Sequence, residues 1–509
     1  MIRDLAEAGD TAVETEFLVI GAGTVGLPIA TMLARAGKQV HCIESGGRDQ
    51  AAETHPFNHV EQGGMAYVGA DQGRFRCLGG TSTRWGGALI PFLAHDMADA
   101  DWPVGVDELA PQVERVEKLF GLQSGRYEEP DLMGGPDHIA RLAKWPPFRK
   151  RNVYNLLKGE VDSAKGPVVW LNASATSFEI SDGKLASVTA QALSGSTLRI
   201  AARTVIFAAG AIETTRLLLI ADHQNSGVVR AGQDILGRYF HDHLSTVVAD
   251  LQVFDRKRLN ELVGFRFAPG GGMRNVRFEL CEDSVLRSNV PPCFAHIAFD
   301  DQAGSGFDAL RDLFRRLQRR QIPSVDLAMR LASASPWLAR AVWWRFVQHR
   351  LLYPDRASLQ MHMVVEQAAR RENRISLSPR QLDPFGQPVA RIDWTIGESD
   401  YKAMHRATEA FCASWQKSAF ADLAQSTRRP APEIEAAMAE GGGIYHPGGT
   451  TRMGRSRQDG VVDRDMRLFS LPNVRVLATS VLPTGGGANP TMTLLLLAMR
   501  CVDDMLRHP

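Results

Sequence analysis

The sequence predicts an α/β protein in two parts: a parallel sheet gathered from distant segments of the chain, and an α+β part built on an antiparallel sheet. Three observations carry this. The apolar run FLVI is followed at once by Gly21, Gly23 and Gly26, and then by Leu27, Ala30, Thr31 and Ala34 at helical spacing. A second apolar run, RTVIFAA over residues 203–209, ends on Gly210 and leads into another helix. From about residue 251 to residue 430 the pattern changes to short strands, with no such glycine turns.

In the first unit, four apolar residues in succession read as a strand buried on both faces. Residues 39–43 form the next strand, and Glu44 stands at its end. A strand, a GxGxxG turn, a helix and a strand closed by an acid form a unit that holds a dinucleotide. Gly21 permits the tight turn, Gly23 lets the backbone approach a pyrophosphate, and Gly26 lets the helix pack against the strand. The helix N-terminus presents free N–H groups to the phosphates. Glu44 accepts hydrogen bonds from ribose hydroxyls and disfavours a 2′-phosphate, so FAD or NAD is expected and NADP is not. Thr24 and Ser45 join the expected binding set.

The chain has 509 residues, which points to two or three domains. It is 44% hydrophobic and 23% charged, with a net charge of +1, which disfavours nucleic acid as the main partner. Its six cysteines are scattered without a CxxC pair, so neither a disulfide framework nor a zinc site is expected. The first residues lack an apolar core and a twin-arginine pair, and no stretch is long and apolar enough to span a bilayer. A cytoplasmic protein is expected, export on a partner's signal staying open.

Residues 47–72 read as an extended loop. The next stretch, GRFRCLGGTSTRWGGALIPF, carries Gly73, Gly79, Gly80, Gly86 and Gly87. Glycine at that density lets backbone turn sharply or lie against a flat object. Following a dinucleotide unit, it is expected to cradle a flavin through Gly80, Thr81, Ser82, Arg84, Trp85, Gly86 and Ala88. Residues 107–120 read as an amphipathic helix, and 93–165 as a helical insertion. Strands follow at 167–171, 185–192 and 203–209. Ala209 and Gly210 then turn into a helix over 212–220, which implies one sheet assembled from separated segments.

Residues 305–350 hold arginines 311, 315, 316, 319, 320, 330, 340, 345 and 350, with Trp337, Trp343, Trp344 and Phe346 near the end. This basic helical segment fits an insertion packing its aromatics inward, a subunit interface or a membrane-surface helix, with the first two favoured. A homo-oligomer is thus one expected assembly, and membrane contact is not expected. Strands at 358–367, 374–377 and 389–394 surround the turn DPFG, and helices cover 399–418 and 430–440. The division expected is a Rossmann-like FAD-binding domain of residues 1–250 and 435–509, and a substrate domain of 251–434 carrying the insertion 305–352.

Two late motifs carry the chemistry. GGGIYHPGGTTRMG sets His446 in a loop among glycines. VLATSVLPTGGGANPTMTLLLLAMR, over residues 476–500, reads as a strand, a glycine turn and a helix opened by Asn489, Pro490 and Thr491, and Ser480 joins the expected cofactor-binding set. Asn suits the N-cap and Pro the first helical position. The positive end of that helix suits the flavin edge that gains negative charge on reduction.

Together, GAGTVG with Glu44, LGGTSTRWGG, AAGAIETTRLLL, and HPGGTTRMG with TGGGANPTMT resemble the blocks of glucose–methanol–choline (GMC) flavoprotein oxidoreductases. The resemblance spans the whole chain and is nearest the sugar-oxidising branch of pyranose oxidases and glucoside, gluconate or fructose dehydrogenases. It implies bound FAD and oxidation of a secondary alcohol on a sugar or glycoside to a ketone. It also implies His446 as general base, with hydride passing to flavin N5, and Asn489 on the substrate oxygen. Pyranose oxidases tether FAD through a histidine where this chain has Arg84, so non-covalent FAD is expected. The electron acceptor, whether oxygen, a quinone or a redox partner, stays open. A non-redox lyase on the same fold, another alcohol dehydrogenase, a non-catalytic flavin-binding subunit and an NAD enzyme are the alternatives. His241 and His243 lack a third ligand at clear spacing, so no metal is expected.

Overall fold

The computed structural model describes residues 1–51, 54–301, 304–318, 322–441, 443–487 and 489–508. Arg319, Arg320, Gly442 and Ala488, which belong to the stretches above, lie outside the described residues.

The larger sheet runs in the order Ile2–Asp4, Val168–Leu171, Val40–Ile43, Thr11–Ile20, Thr197–Phe207, Leu471–Val476 and Arg467–Leu468. The first six of these strands are parallel to their neighbours. Residues from both ends of the chain thus meet in one layer. Phe17 to Ile20 are 0–3% exposed, which is why they read as an unbroken apolar run. The strand itself begins earlier, at Thr11, where buried and exposed positions mix around Glu14 and Glu16. The helix Gly26–Arg35 covers one face with Leu27, Ile29, Ala30 and Leu33.

The second sheet is antiparallel, in the order Ala424–Arg428, His243–Val253, Ser358–Glu366, Cys293–Asp300, Met273–Leu280, His138–Trp145 and Glu128–Glu129. The strand His138–Trp145 comes from the stretch expected to be a helical insertion. The loop expected at 47–72 contains the strand Val60–Gln62, which pairs in parallel with Ala390–Ile392 of the strand Pro388–Asp393. Short strands like this are fixed by a partner distant in sequence and leave little local signal. The strand expected in the motif of residues 476–500 lies mostly before it, at Leu471–Val476, and Thr479–Val481 is a tight helical turn.

The arginine-rich segment forms helices Gly306–Gln318, Val325–Ser333 and Ser335–Phe346. Asp308 pairs with Arg311 and Arg330, at 2.7 and 3.0 Å, and Arg340 with Asp355 at 2.9 Å. Its aromatics do not all pack inward: Trp344 is buried, while Trp343 and Phe346 are 56% and 68% exposed. Adjacent residues on a helix point about 100° apart, so Trp343 and Trp344 cannot share one face. Among the described residues no helix is long and apolar enough to cross a membrane.

Candidate active site

The first glycine turn is tightly enclosed. A Cβ on Gly21 would lie 2.7 Å from the Ala208 carbonyl oxygen, and one on Gly26 would lie 2.0 Å from the Gly21 oxygen. The loop at residues 77–83 rests directly on this turn. Gly79 N–H donates to Ala22 O at 2.9 Å, and a Cβ on Gly80 would meet Gly23 Cα at 2.7 Å. Ser82 holds the loop by donating to Gly79 O and accepting from Val153 N–H. Glu44 is buried and accepts from the N–H groups of Ala22 and Gly46, each at 3.0 Å; burial raises its pKa. Ser45 accepts from Arg76 at 2.9 Å. Ala209 N–H donates to Thr214, and Gly210, with φ 77°, opens the helix Ala211–Gln224. Thr24 is half-buried in the turn, whereas Thr81 and Arg84 are exposed, and Arg84 donates to Gln50.

The two late motifs converge on a cavity of about 400 Å³. His446, Asn489 and Thr491 line it from one side, and Trp85, Gly86, Gly87 and Ala88 of the glycine-rich loop from another. The antiparallel sheet completes it with Asn275, Val276, Arg277, Phe294, His296 and Phe299. Ser480 ties the motifs together: its hydroxyl accepts from Thr451 at 2.6 Å, and its carbonyl takes the Thr451 N–H at 2.9 Å. Asn489 takes the N-cap position before Pro490, but its side chain makes no capping bond. Its Nδ2 lies 3.3 Å from His446 Nε2, and its Oδ1 is buried without a partner among the described residues.

His446 Nδ1 lies 3.3 Å from His243 Nδ1, and His243 Nε2 lies 2.7 Å from the Gly486 carbonyl oxygen. These contacts assign the protons. A carbonyl only accepts, so His243 Nε2 carries hydrogen; neutral His243 then accepts at Nδ1, and His446 Nδ1 donates. Nε2 of His446 is left unprotonated, facing Asn489. Both rings stay neutral because burial disfavours their charged forms. It pushes His446 well below its ordinary value, with His243 and Arg277 adding to the effect, and brings His243 down to about 4. The carbonyl end of the chain is fixed in turn, since the N–H groups of Gly485 and Gly486 donate to Glu366 at 2.7 and 3.1 Å.

The loop bearing His446 hangs on Asp242. Its Oδ1 accepts from the N–H groups of His243 and His446, and its Oδ2 from Tyr67 O–H and Tyr445 N–H, at 2.5 to 3.1 Å. Asp242, His243 and His446 place ligand atoms within 4.8 Å of one another, the spacing of a metal cluster. The four donors occupy the four lone-pair positions of the carboxylate, however, and His243 Nε2 is committed to Gly486, so the set offers a cation little.

Sequence reasoning did not find Asp242, Tyr67 or Arg277, and it weighed His243 only as half of a metal pair. A usable signal existed for Arg277. It stands with Glu279 as a charge in the strand MRNVRFEL, and it shares a sheet face with Asn275 by the two-residue period of a strand.

Comparison with known proteins bears most directly on the C-terminal part of the chain. Residues 369–498, which contain His446 and Asn489, match the family model described as GMC oxidoreductase. Over those residues the chain is similar to GMC oxidoreductases. The relatives that match most of its length are named as dehydrogenases and oxidases. The chain is 23% identical to 2-methyl-1,2-propanediol dehydrogenase of Mycolicibacterium austroafricanum, over 98% of this chain and 96% of that one. It is 22% identical to C-glycoside 3-oxidase of Arthrobacter globiformis, over 91% and 81% respectively. Among solved structures it resembles pyridoxine 4-oxidase from Mesorbium loti, with a TM-score of 0.59 and 15% identity over 97% of this chain and 100% of that one. That last likeness is one of fold.

Proposed function

We propose that this chain is an FAD-dependent oxidoreductase that oxidises a secondary alcohol, carried on a sugar or glycoside, to a ketone. The observation that carries this is the proton chain from His446 through His243 to Gly486, which leaves Nε2 of His446 basic inside the cavity. The residues fit FAD. A glycine cradle that side chains would fill lies between the first turn and residues 77–83, and a helix N-terminus opens beside Asn489, whose buried Oδ1 has no partner among the described residues. Gly21, Gly23, Thr24, Glu44, Ser45, Gly80, Ser82, Ala209, Gly210 and Ser480 would hold the nucleotide part, and Trp85, Gly86, Ala88, Pro490 and Thr491 the flavin. When bound, FAD accepts hydride at N5. His446 Nε2 takes the proton of the substrate hydroxyl, and Asn489 Nδ2 donates to the same oxygen and orients it. As that proton arrives, the positive charge on His446 is shared through Nδ1–H with His243. The names of the relatives, two of which act on an alcohol and a glycoside, support this substrate class.

Flavin attachment is read as non-covalent, since residue 84 is arginine and its side chain is engaged by Gln50. The test is anaerobic mixing of purified yellow protein with a panel of sugars, glycosides and simple alcohols. Bleaching of the flavin band by one of them, with flavin released into the supernatant on acid precipitation, is expected. A panel that leaves the band oxidised would overturn the reading.

A further inference from the structure

Arg277 is 3% exposed and yet borders the cavity that holds His446. Its Nε and Nη1 are buried with no hydrogen-bond partner among the described residues. Its guanidinium lies 4.0 Å from the centroid of the Phe294 ring, which offers a cation an aromatic face but no acceptor. The neighbouring acid, Glu279, pairs with Arg141, the cross-strand partner of Arg277. A guanidinium taken from water without an acceptor is costly to keep in a fold, and guanidinium matches a carboxylate in a planar two-point fork. Among the described residues around the cavity Arg277 is the one cation, because both histidines there are neutral. A single cation among aromatic walls suits one negative charge better than a phosphate dianion.

We infer that Arg277 binds a carboxylate on the substrate, so that the cavity takes a hydroxy acid of sugar size, such as a uronate or aldonate, in preference to a neutral sugar. This rests on the reading of the cavity as the place of alcohol oxidation. Arg277 here confers specificity, while His446 carries out the proton transfer at the other polar group of the cavity.

The test is calorimetric binding of glucuronate and glucose to the flavin-loaded protein, with Arg277→Gln and Arg277→Lys beside the wild type. Glucuronate is expected to bind the wild type at least about tenfold tighter than glucose, as charge-assisted hydrogen bonds allow. Arg277→Gln should abolish that preference by weakening glucuronate at least about tenfold more than glucose, and Arg277→Lys should keep part of it, having charge without the fork. Thermal melts confirm that each variant is folded. Acetate should compete with glucuronate more strongly than inorganic phosphate does. Equal affinity for the two sugars, equal loss of both in Arg277→Gln, or stronger competition by phosphate would overturn the proposal. An acid preference in a protein whose flavin no alcohol reduces would sink the oxidation reading and leave this one standing. Reduction by neutral sugars, unaltered in Arg277→Gln, would do the reverse.

Discussion

His446→Ala is expected to keep its flavin and to lose about 10²- to 10⁴-fold in the rate of anaerobic flavin reduction, the contribution of a positioned general base. The variant is a clean test because the loop does not depend on the imidazole. Asp242 grips residues 445 and 446 through their backbone N–H groups, which alanine retains. The pH profile of the wild type gives a second, independent check. The base works in its neutral form, and its folded pKa lies well below 6.5, first through burial and then through its neighbours His243 and Arg277. Protonation of His446, and the loss of rate that follows, therefore belongs below the ordinary histidine range. Stopped-flow reduction between about pH 5 and 8 should show a plateau through neutrality, with any acid limb below 6.5. A limb centred at 6.5 or above would contradict the enclosed site, and unchanged reduction in His446→Ala would remove this residue from the chemistry. The same shift has a sign for stability. A histidine whose folded pKa is depressed takes up protons first in the unfolded chain, so this group weakens the fold as pH falls from 6.5 toward its folded value.

How much of this was legible beforehand depends on whether the chemistry is written locally. The first βαβ unit was, because a buried parallel strand and a GxGxxG turn are consecutive in the chain. The helix opened by Pro490 was legible for the same reason, since its start signal sits beside its apolar run. His446 and Asn489 were found through motif resemblance, and the structure brings them to within 3.3 Å. Asn489 also shows where local rules stop. Its type and position predict a capping side chain, yet the amide turns to His446, a partner that no local pattern reveals. His243 looked like half of a metal pair because HxH places two imidazoles two residues apart. In the fold the pair splits, His241 lying 3.4 Å from the Leu482 carbonyl oxygen and His243 reaching Gly486 and His446. Tyr67 lies in what reads as featureless loop, and its hydroxyl acquires meaning only when the chain brings Asp242 to it.

Asp242→Ala is expected to lower stability by about 3–5 kcal/mol and to abolish flavin reduction as well, because four buried donors lose their acceptor together. The side chain is fully buried, and its two oxygens hold the Tyr67 hydroxyl and the N–H groups of His243, Tyr445 and His446 together. Tyr445 adds a further reason. Its φ of 67° is a left-handed conformation that costs a residue with a side chain roughly 1–2 kcal/mol, and its N–H is held by Asp242. Once the carboxylate is gone, Tyr445 can relax to ordinary backbone, which carries the next residue, His446, away from Asn489. Tyr67→Phe separates these contributions. It removes one donor and leaves the ring packed edge-on against Phe240 and Trp394, at 5.1 and 5.4 Å, so a loss of about 1 kcal/mol with activity retained is expected. Asp242→Asn should fall between them, since an amide keeps one accepting oxygen but turns its NH₂ on two of the donors. Urea unfolding of the three flavin-loaded variants gives the order, and flavin reduction gives the consequence for His446. If Asp242→Ala unfolded at the wild-type midpoint, the loop would owe its shape to something other than this carboxylate.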